Sequence, residues 1–228
     1  YEPLIENGNT RVANQNLKGT IFNGANGFED VDYLMITSDL LKGQAEKLAQ
    51  HNRDYRNLNV KVVTLREIYN EFNSGTEDIG AIRNFVRYVY DNASTRENRL
   101  KYLCLFGDTS IDYKDRISGN NNIIPTFNTY YSFSESQSFM SDDFYGCLDP
   151  GEGILEGSSP AGSGGSDMLD IAIGRILADN PQLANEVVDK IINYDTRTSY
   201  GRWRNNFVLI SDDVDFAWEH TELQTTLD

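Results

Sequence analysis

The sequence is poor in the residues that most catalytic and redox chemistries need. It holds two cysteines and two histidines in 228 residues. Two cysteines do not build a disulfide framework, and the absence of any CxxC pair argues against a zinc ribbon or a thioredoxin-type centre. No GxSxG elbow or HExxH pair occurs, and no GxGxxG turn or P-loop follows any apolar run, so serine-hydrolase, zincin and nucleotide-binding readings lack support. The apolar runs are a handful of residues long, far short of the roughly 20 that span a bilayer. Basic residues are scarce as well: 20 Lys+Arg stand against 35 Asp+Glu, a net charge of -15. A chain without a basic face cannot neutralise phosphates, which argues against a general nucleic-acid binder. The opening YEPLIENGNTRVANQNLKG has neither the charged nor the apolar region of a secretory leader. The closing HTELQTTLD stops inside a helical pattern without a cap, so we read the chain as a piece of a longer protein.

What is present is a folding composition. Apolar residues make up 39% and aromatics 11%, enough for a real core in one or two domains. The acidity is concentrated. Between Arg116 and Arg175 there is no Lys or Arg, and Glu135, Asp142, Asp143, Asp149, Glu152, Glu156, Asp167 and Asp170 give a block of -8. After Arg204, Asp212, Asp213, Asp215, Glu219, Glu222 and Asp228 give a second block of -6. Such blocks either stay solvated or meet a cation.

Short β-rich runs alternate with amphipathic stretches. Strands are predicted at 31–37, 59–64, 101–106, 169–175 and 206–211, with a shorter one at 144–148. Ser38 is the expected cap of a helix burying Leu41, Ala45, Leu48 and Tyr55. Thr64 and Glu67 have the spacing of a capping box. A helix from Thr76 buries Ile79, Ile82, Val86 and Val89, and Asn180–Pro181 opens one burying Leu183, Val187, Ile191 and Tyr194. Residues 118–142 read as a long loop, 150–167 as a Gly/Ser-rich stretch, and 214–228 as the start of a helix. This order predicts an α/β fold, a mainly parallel sheet flanked by helices. Ligands of such sheets gather outside the carboxyl ends of the strands, where Asp39, Asp108, Asp212 and Asp213 fall.

The histidines and cysteines offer little. His51 lies on the polar side of a helix, and Cys104 sits inside the apolar run YLCLF as a small hydrophobe. Cys147 is structural or half of a bridge to Cys104, and a Cys147–His220 dyad is a poor prospect. Calcium is better served, because it takes six to eight oxygens from carboxylates and carbonyls. Asp108, Asp149, Asp167 and Asp170 offer such oxygens around a Gly-rich backbone, although the spacing is not that of an EF-hand. The competing reading is solvated loop acids.

Specific strings add to this. DYLMITSDLL, NVKVVTLREIY, IRNFVRYVY, YLCLFGD, IIPT, SDDFYG, DIAIGR, KIINYD and FVLISDD, in this order over roughly residues 31–220, resemble the gingipain-type cysteine peptidases. The likeness is strongest to the branch of type IX secretion signal peptidases and sortases. The resemblance implies a caspase-like architecture of two side-by-side subdomains, incomplete here at its carboxyl end. It divides the chain into a preceding segment or linker (1–30), the first subdomain (31–200) and the start of the catalytic subdomain (201–228). The family's catalytic His, in a Gly-His-Gly stretch, and its nucleophilic Cys are absent here and expected beyond Asp228, so this piece is expected to be inactive alone.

The resemblance also implies structural Ca²⁺. One site would use Asp108, a carbonyl near Leu148 and Asp149, and Asp170 with Asp167. A second would use Asp215 and His220. The acid that confers arginine preference in some members falls on Ala217, which speaks against that preference here. The function implied is that of an exported cysteine endopeptidase cleaving secreted proteins and processing C-terminal sorting signals at the outer surface of a bacterium. Its partners would be a polypeptide substrate, the rest of the same peptidase domain and secretion-system surface proteins. The alternative is a non-catalytic peptidase-fold module that binds or adheres, using the aromatic stretch Phe127–Phe139.

Overall fold

The structure, a computed structural model, describes residues 15–129, 133, 138–153, 155 and 167–208. The chain divides into two compact units, 1–190 and 191–228. The division falls inside a helix, ahead of the expected boundary at residue 200.

The first unit opens with a helical turn, α1 (Leu17–Thr20), and a small ribbon of β1 (Asn23–Gly24) with β2 (Gly27–Phe28). These residues are not a free linker. Ile21 and Phe22 are buried in the same core as the sheet, and the Glu71 carboxylate accepts the backbone N–H groups of Leu17 and Lys18 at 2.6 and 2.7 Å.

Then come β3 (Tyr33–Thr37), α2 (Lys42–Arg56), β4 (Val60–Thr64), α3 (Leu65–Phe72), α4 (Ile79–Asp91) and β5 (Tyr102–Phe106). A ribbon of β6 (Phe127–Asn128) and β7 (Met140–Ser141), then β8 (Ala172–Ile176) and α5 (Pro181–Asp195), follow. The main sheet runs β4-β3-β5-β8 and is parallel throughout. Strand faces alternate as the period-2 rule requires. Leu34, Ile36, Leu103 and Leu105 point into a core shared with Ile68 of α3 and with Ile82, Phe85 and Val86 of α4. Each such side chain, fully buried, contributes about 1.5–3 kcal/mol of transfer free energy. Met35, Cys104 and Phe106 point the other way, the side on which α2 carries buried Leu48 and Ala49 and α5 carries buried Ala184 and Val188.

Local sequence decides most ends. Thr64 and Glu67 form the expected capping box: the Thr64 N–H donates to Glu67 Oε2 at 2.8 Å, and the Glu67 N–H donates back to Thr64 Oγ1. Asn180 caps α5 through the Leu183 N–H at 2.9 Å. Other expectations are corrected. α2 begins at Lys42 behind Leu41, with no side-chain cap, so Ser38 is not its cap. Tyr55 is exposed, while Arg53 in the same last turn of α2 donates to Val60 O of β4 at 2.8 Å. α4 starts at Ile79, since Asp78 rather than Thr76 supplies the oxygen that caps it, through Gly80 N–H at 2.8 Å. The buried positions of α5 are Ala184 and Val188, one residue on from Leu183 and Val187, because small side chains let the helix approach closely. FYGCL is not a strand; Asp143–Tyr145 form a 3-10 turn that buries Tyr145. Residues 206–208 carry no strand, and the rest of 206–211 and the helix expected at 214–228 lie outside the described residues.

In the second unit, Arg204 stacks against Tyr194, Tyr200 and Trp203 with its guanidinium carbon 4.1, 4.3 and 5.4 Å from their ring centroids.

Candidate functional site

Parallel strands deliver their carboxyl ends to one edge, and here that edge is held by a single arginine. Arg175, near the end of β8, is only 8% exposed at its side chain and spends its donors on three segments. Its Nε and Nη2 form a fork on Asp142 at 2.8 and 2.7 Å, and its Nη1 donates to the carbonyls of Gly107 and Ile124 at 2.9 and 3.0 Å. A guanidinium can do this because its donors lie in one rigid plane. Thr126 Oγ1 donates to the same Asp142 carboxylate at 2.8 Å, and the Tyr145 hydroxyl donates to Pro125 O at 2.5 Å. Burial, reinforced by the neighbouring Tyr69, raises the Tyr145 phenol well above its ordinary pKa, so it stays a donor.

Asp108 stands at this edge as expected. Its N–H donates to Ala178 O, and its own carbonyl accepts from Ile123 and Ile124. Its carboxylate accepts the Thr109 N–H at 2.8 Å and the Asn121 side-chain amide. Asn122 Oδ1 in turn accepts the Ser110 N–H at 3.2 Å, so the asparagine run folds the loop back onto the strand end.

The other predicted acids lie elsewhere. Asp170 precedes β8 and therefore sits at the amino edge, where its carboxylate accepts the Leu148 N–H at 2.8 Å and the Tyr90 hydroxyl at 3.4 Å. Asp167 accepts the Gly153 and Leu155 N–H groups at 2.8 and 3.1 Å. The Asp149 N–H donates to Glu152. Asp149, Asp167 and Glu152 thus share one loop cluster, which Arg83 ties to α4 through the carbonyls of Cys147 and Glu152. The structure does not bring Asp108 to them. Asp108 pairs with Ala178, and Asp170 lies eight positions before Ala178, on the order of 20 Å away along the strand direction. A calcium shell holds its oxygens within about 2.6 Å of the ion.

Four carboxylates spread over both edges, three of them already accepting from nearby N–H and O–H donors, do not fit one ion. Among the described residues, no three of His, Cys, Asp and Glu stand together as a metal-holding group. Asp215 and His220 lie outside the described residues.

The cysteines are poor nucleophiles. Both are free thiols and buried. Burial pushes the Cys104 thiol up to about 12. Burial, then the negative charges of Asp167, Glu152 and Asp143, pushes Cys147 up to about 11. A reactive cysteine needs the opposite environment. His51 stacks on Tyr55 along α2 with centroids 5.3 Å apart.

Sequence reasoning missed a cleft of about 910 Å³ at the same edge, lined by residues from the start of α4, the loop after β5, and β6 and β7. No short motif marks it, because its parts come from four separate segments.

A parallel sheet with helices on both faces and its loops gathered at the carboxyl edge defines an α/β enzyme-type scaffold. The sequence profile of peptidase family C25 matches residues 26–228, and the chain belongs to that family, which is one of cysteine peptidases. Among solved structures the chain is similar to dimeric latent PorU from Porphyromonas gingivalis, at 28% identity and a TM-score of 0.62, over 79% of this chain and 17% of that one. The chain therefore spans about a sixth of the length of that relative. No curated protein matches the chain.

Proposed function

We propose that the chain is the first subdomain, and the beginning of the second, of an exported cysteine endopeptidase that processes C-terminal sorting signals of secreted proteins at the bacterial cell surface. The observation that supports it most is the convergence at Arg175. The strings LFGD, IIPT, SDDFYG and AIGR, far apart in sequence, each contribute one group to the same guanidinium: the Gly107 carbonyl, the Ile124 carbonyl, the Asp142 carboxylate and Arg175 itself. They are the strings that carry the likeness to gingipain-type peptidases, and their meeting point is the edge where this sheet type gathers ligands.

The reaction would be attack of a Cys thiolate on a peptide carbonyl after a His takes the thiol proton, with loss of the amine and formation of a thioester. Burial and the raised thiol pKa values make Cys104 and Cys147 unfavourable sources of that thiolate, which supports a nucleophile that on this reading lies beyond Asp228. The present chain supplies scaffold and one wall of the substrate cleft. Calcium is given no step in this reading: Asp108 and Asp170 stand at opposite edges of the sheet, and Asp215 and His220 lie outside the described residues. The test is the full-length protein with the cysteine after Asp228 replaced by alanine. Peptidase activity should vanish while the fold persists; undiminished activity would refute the reading.

A further inference from the structure

The amino edge of the main sheet, away from Arg175, carries a cavity of about 530 Å³. Its back is apolar: Leu100 and Ile171 are buried, and the exposed Tyr102 and Leu169 side chains form the rim. Arg96 and Arg99, from the loop between α4 and β5, line the same cavity. The Arg99 guanidinium lies over the Tyr90 ring with its carbon 4.6 Å from the centroid, and the Tyr90 hydroxyl donates to Asp170 at 3.4 Å. Stacking of this kind leaves the in-plane N–H donors of a guanidinium free. Among the described residues neither Arg96 nor Arg99 donates a hydrogen bond or joins an ion pair.

The other charged groups of the cavity are already engaged. Lys101 Nζ donates to Asp32 at 2.8 Å. The Asp170 carboxylate accepts the Leu148 N–H and the Tyr90 hydroxyl. The Glu97 carboxyl is held below its ordinary pKa chiefly by its own backbone N–H, then by the Thr95 side chain, with a smaller contribution from Arg96. α4 ends beside the cavity, and its C-terminal pole is worth about half a negative charge, but the Asn92 N–H and side-chain amide both donate to Tyr88 O there. The groups left with unspent donors are the two guanidiniums. Their loop is fixed in advance, because Asp30 accepts the Ser94 N–H at 2.6 Å and the Asn98 amide at 3.1 Å, one on each side of Arg96.

Two guanidiniums beside an apolar wall suit an oxyanion of high charge on an organic body. A phosphate monoester carries about −1.5 to −2 at neutral pH, which matches two guanidiniums, whereas a carboxylate matches one. Guanidinium donors meet phosphate oxygens as a fork. A donor set that is already in place keeps the ordering cost of binding low. The cavity is larger than a bare phosphate, and its rim offers Tyr102 and Leu169 to whatever the phosphate is attached to. We propose that this cavity binds a phosphate monoester, its phosphoryl group forked by Arg99 and met by Arg96, its organic part packed against Tyr102 and Leu169. The proposal goes beyond the peptidase reading and does not rest on it.

The test is an NMR titration of the isotope-labelled 228-residue chain at neutral pH with phenyl phosphate, benzoate and inorganic phosphate, following the Arg99 Nε–H and the Tyr102 and Leu169 amide signals. All three signals should shift and saturate with phenyl phosphate, at a Kd about tenfold below that of benzoate or of inorganic phosphate. Arg99→Lys keeps the charge over the Tyr90 ring but loses the fork, and should weaken phenyl phosphate about tenfold, read at the two amides, without lowering the melting temperature. Arg96→Gln should weaken it more at low salt than at high salt, because Arg96 is exposed. The control Arg87→Gln removes a guanidinium that is paired with Asp91 on α4, and should leave binding unchanged. Absence of any shift at millimolar phenyl phosphate, benzoate or inorganic phosphate binding as tightly, or equal weakening by Arg87→Gln and Arg96→Gln would each overturn the proposal. None of these results bears on the peptidase reading, whose own test is loss of cleavage.

Discussion

Replacing Arg175 by methionine should be the most damaging single change at the carboxyl edge. The stem volume is roughly kept, so the loss isolates the guanidinium. Four hydrogen bonds of 2.7–3.0 Å disappear, two of them the fork on Asp142. Removing one partner of a buried ion pair costs about 3–5 kcal/mol, most of it from the charge left behind. Asp142 is 24% exposed and keeps the Thr126 hydroxyl, so water and that donor relieve part of the penalty. The low end, about 3 kcal/mol, is therefore expected. For a chain of this size that is a fall in Tm of about 6–12 °C.

Urea denaturation and thermal melting of the wild type, Arg175→Met, Asp142→Asn and the double variant give the full cycle. The two substitutions should be strongly non-additive, with a coupling of about 1.5 kcal/mol or more. Arg175→Lys should recover charge but not the fork, and so only part of the stability. A loss below about 1 kcal/mol for Arg175→Met, or additive single changes, would refute the claim that this arginine holds the edge together.

Other expectations follow from the packing and the charges. Phe22→Ala should cost about 3–5 kcal/mol in a urea melt, because Phe22 is buried in the main core; a neutral result would return residues 15–30 to the status of a linker. Neither cysteine should react with a disulfide reagent at pH 8 until denaturant is added, given thiols raised to about 11 and 12; one rapid equivalent in the native protein would contradict the burial. Burial acts to raise the pKa of the Asp30 carboxyl, but the Ser94 side-chain and backbone donors and Asn98 outweigh it and hold it below its ordinary value. That stabilisation is present above about pH 4 and is lost as pH falls through the lowered value, so Asp30→Asn should be less stable than wild type at pH 6 and converge with it toward pH 3. A gap that stays constant over that range would exclude the carboxylate as its cause.

The fold was readable in the sequence where local chemistry and periodicity agreed. YLMIT, VKVVT and YLCLF are apolar runs of strand length between polar boundaries, and Thr64 with Glu67 marks a helix start without any tertiary information. Boundaries failed where two residues competed for one role. Thr76 and Asp78 are both good caps, and it is Asp78 whose carboxylate accepts the Gly80 N–H. FYGCL has strand propensity, but Asp143–Tyr145 close a tight 3-10 turn directly after Asp142, which pairs with Arg175. The candidate site was legible in part. Strand-end logic placed Asp108 correctly at the carboxyl edge. It could not place Asp170, because a residue just ahead of a parallel strand lies at the opposite edge, and that depends on where β8 begins. Arg175 drew no notice in sequence beyond its string, since a lone arginine carries no spacing signal; its role exists only through the four segments it joins.

The most direct measurement for the central account is the activity of the full-length protein with Cys104 and Cys147 both changed to alanine. Alanine keeps the small apolar volume at both buried sites, and the raised thiol pKa values assign neither a chemical role. Cleavage of a sorting-signal peptide should persist at a rate close to wild type, with iodoacetamide inhibition mapped by mass spectrometry to a cysteine after Asp228. Loss of cleavage in a folded double variant, or an alkylated Cys147 in the inhibited enzyme, would contradict it.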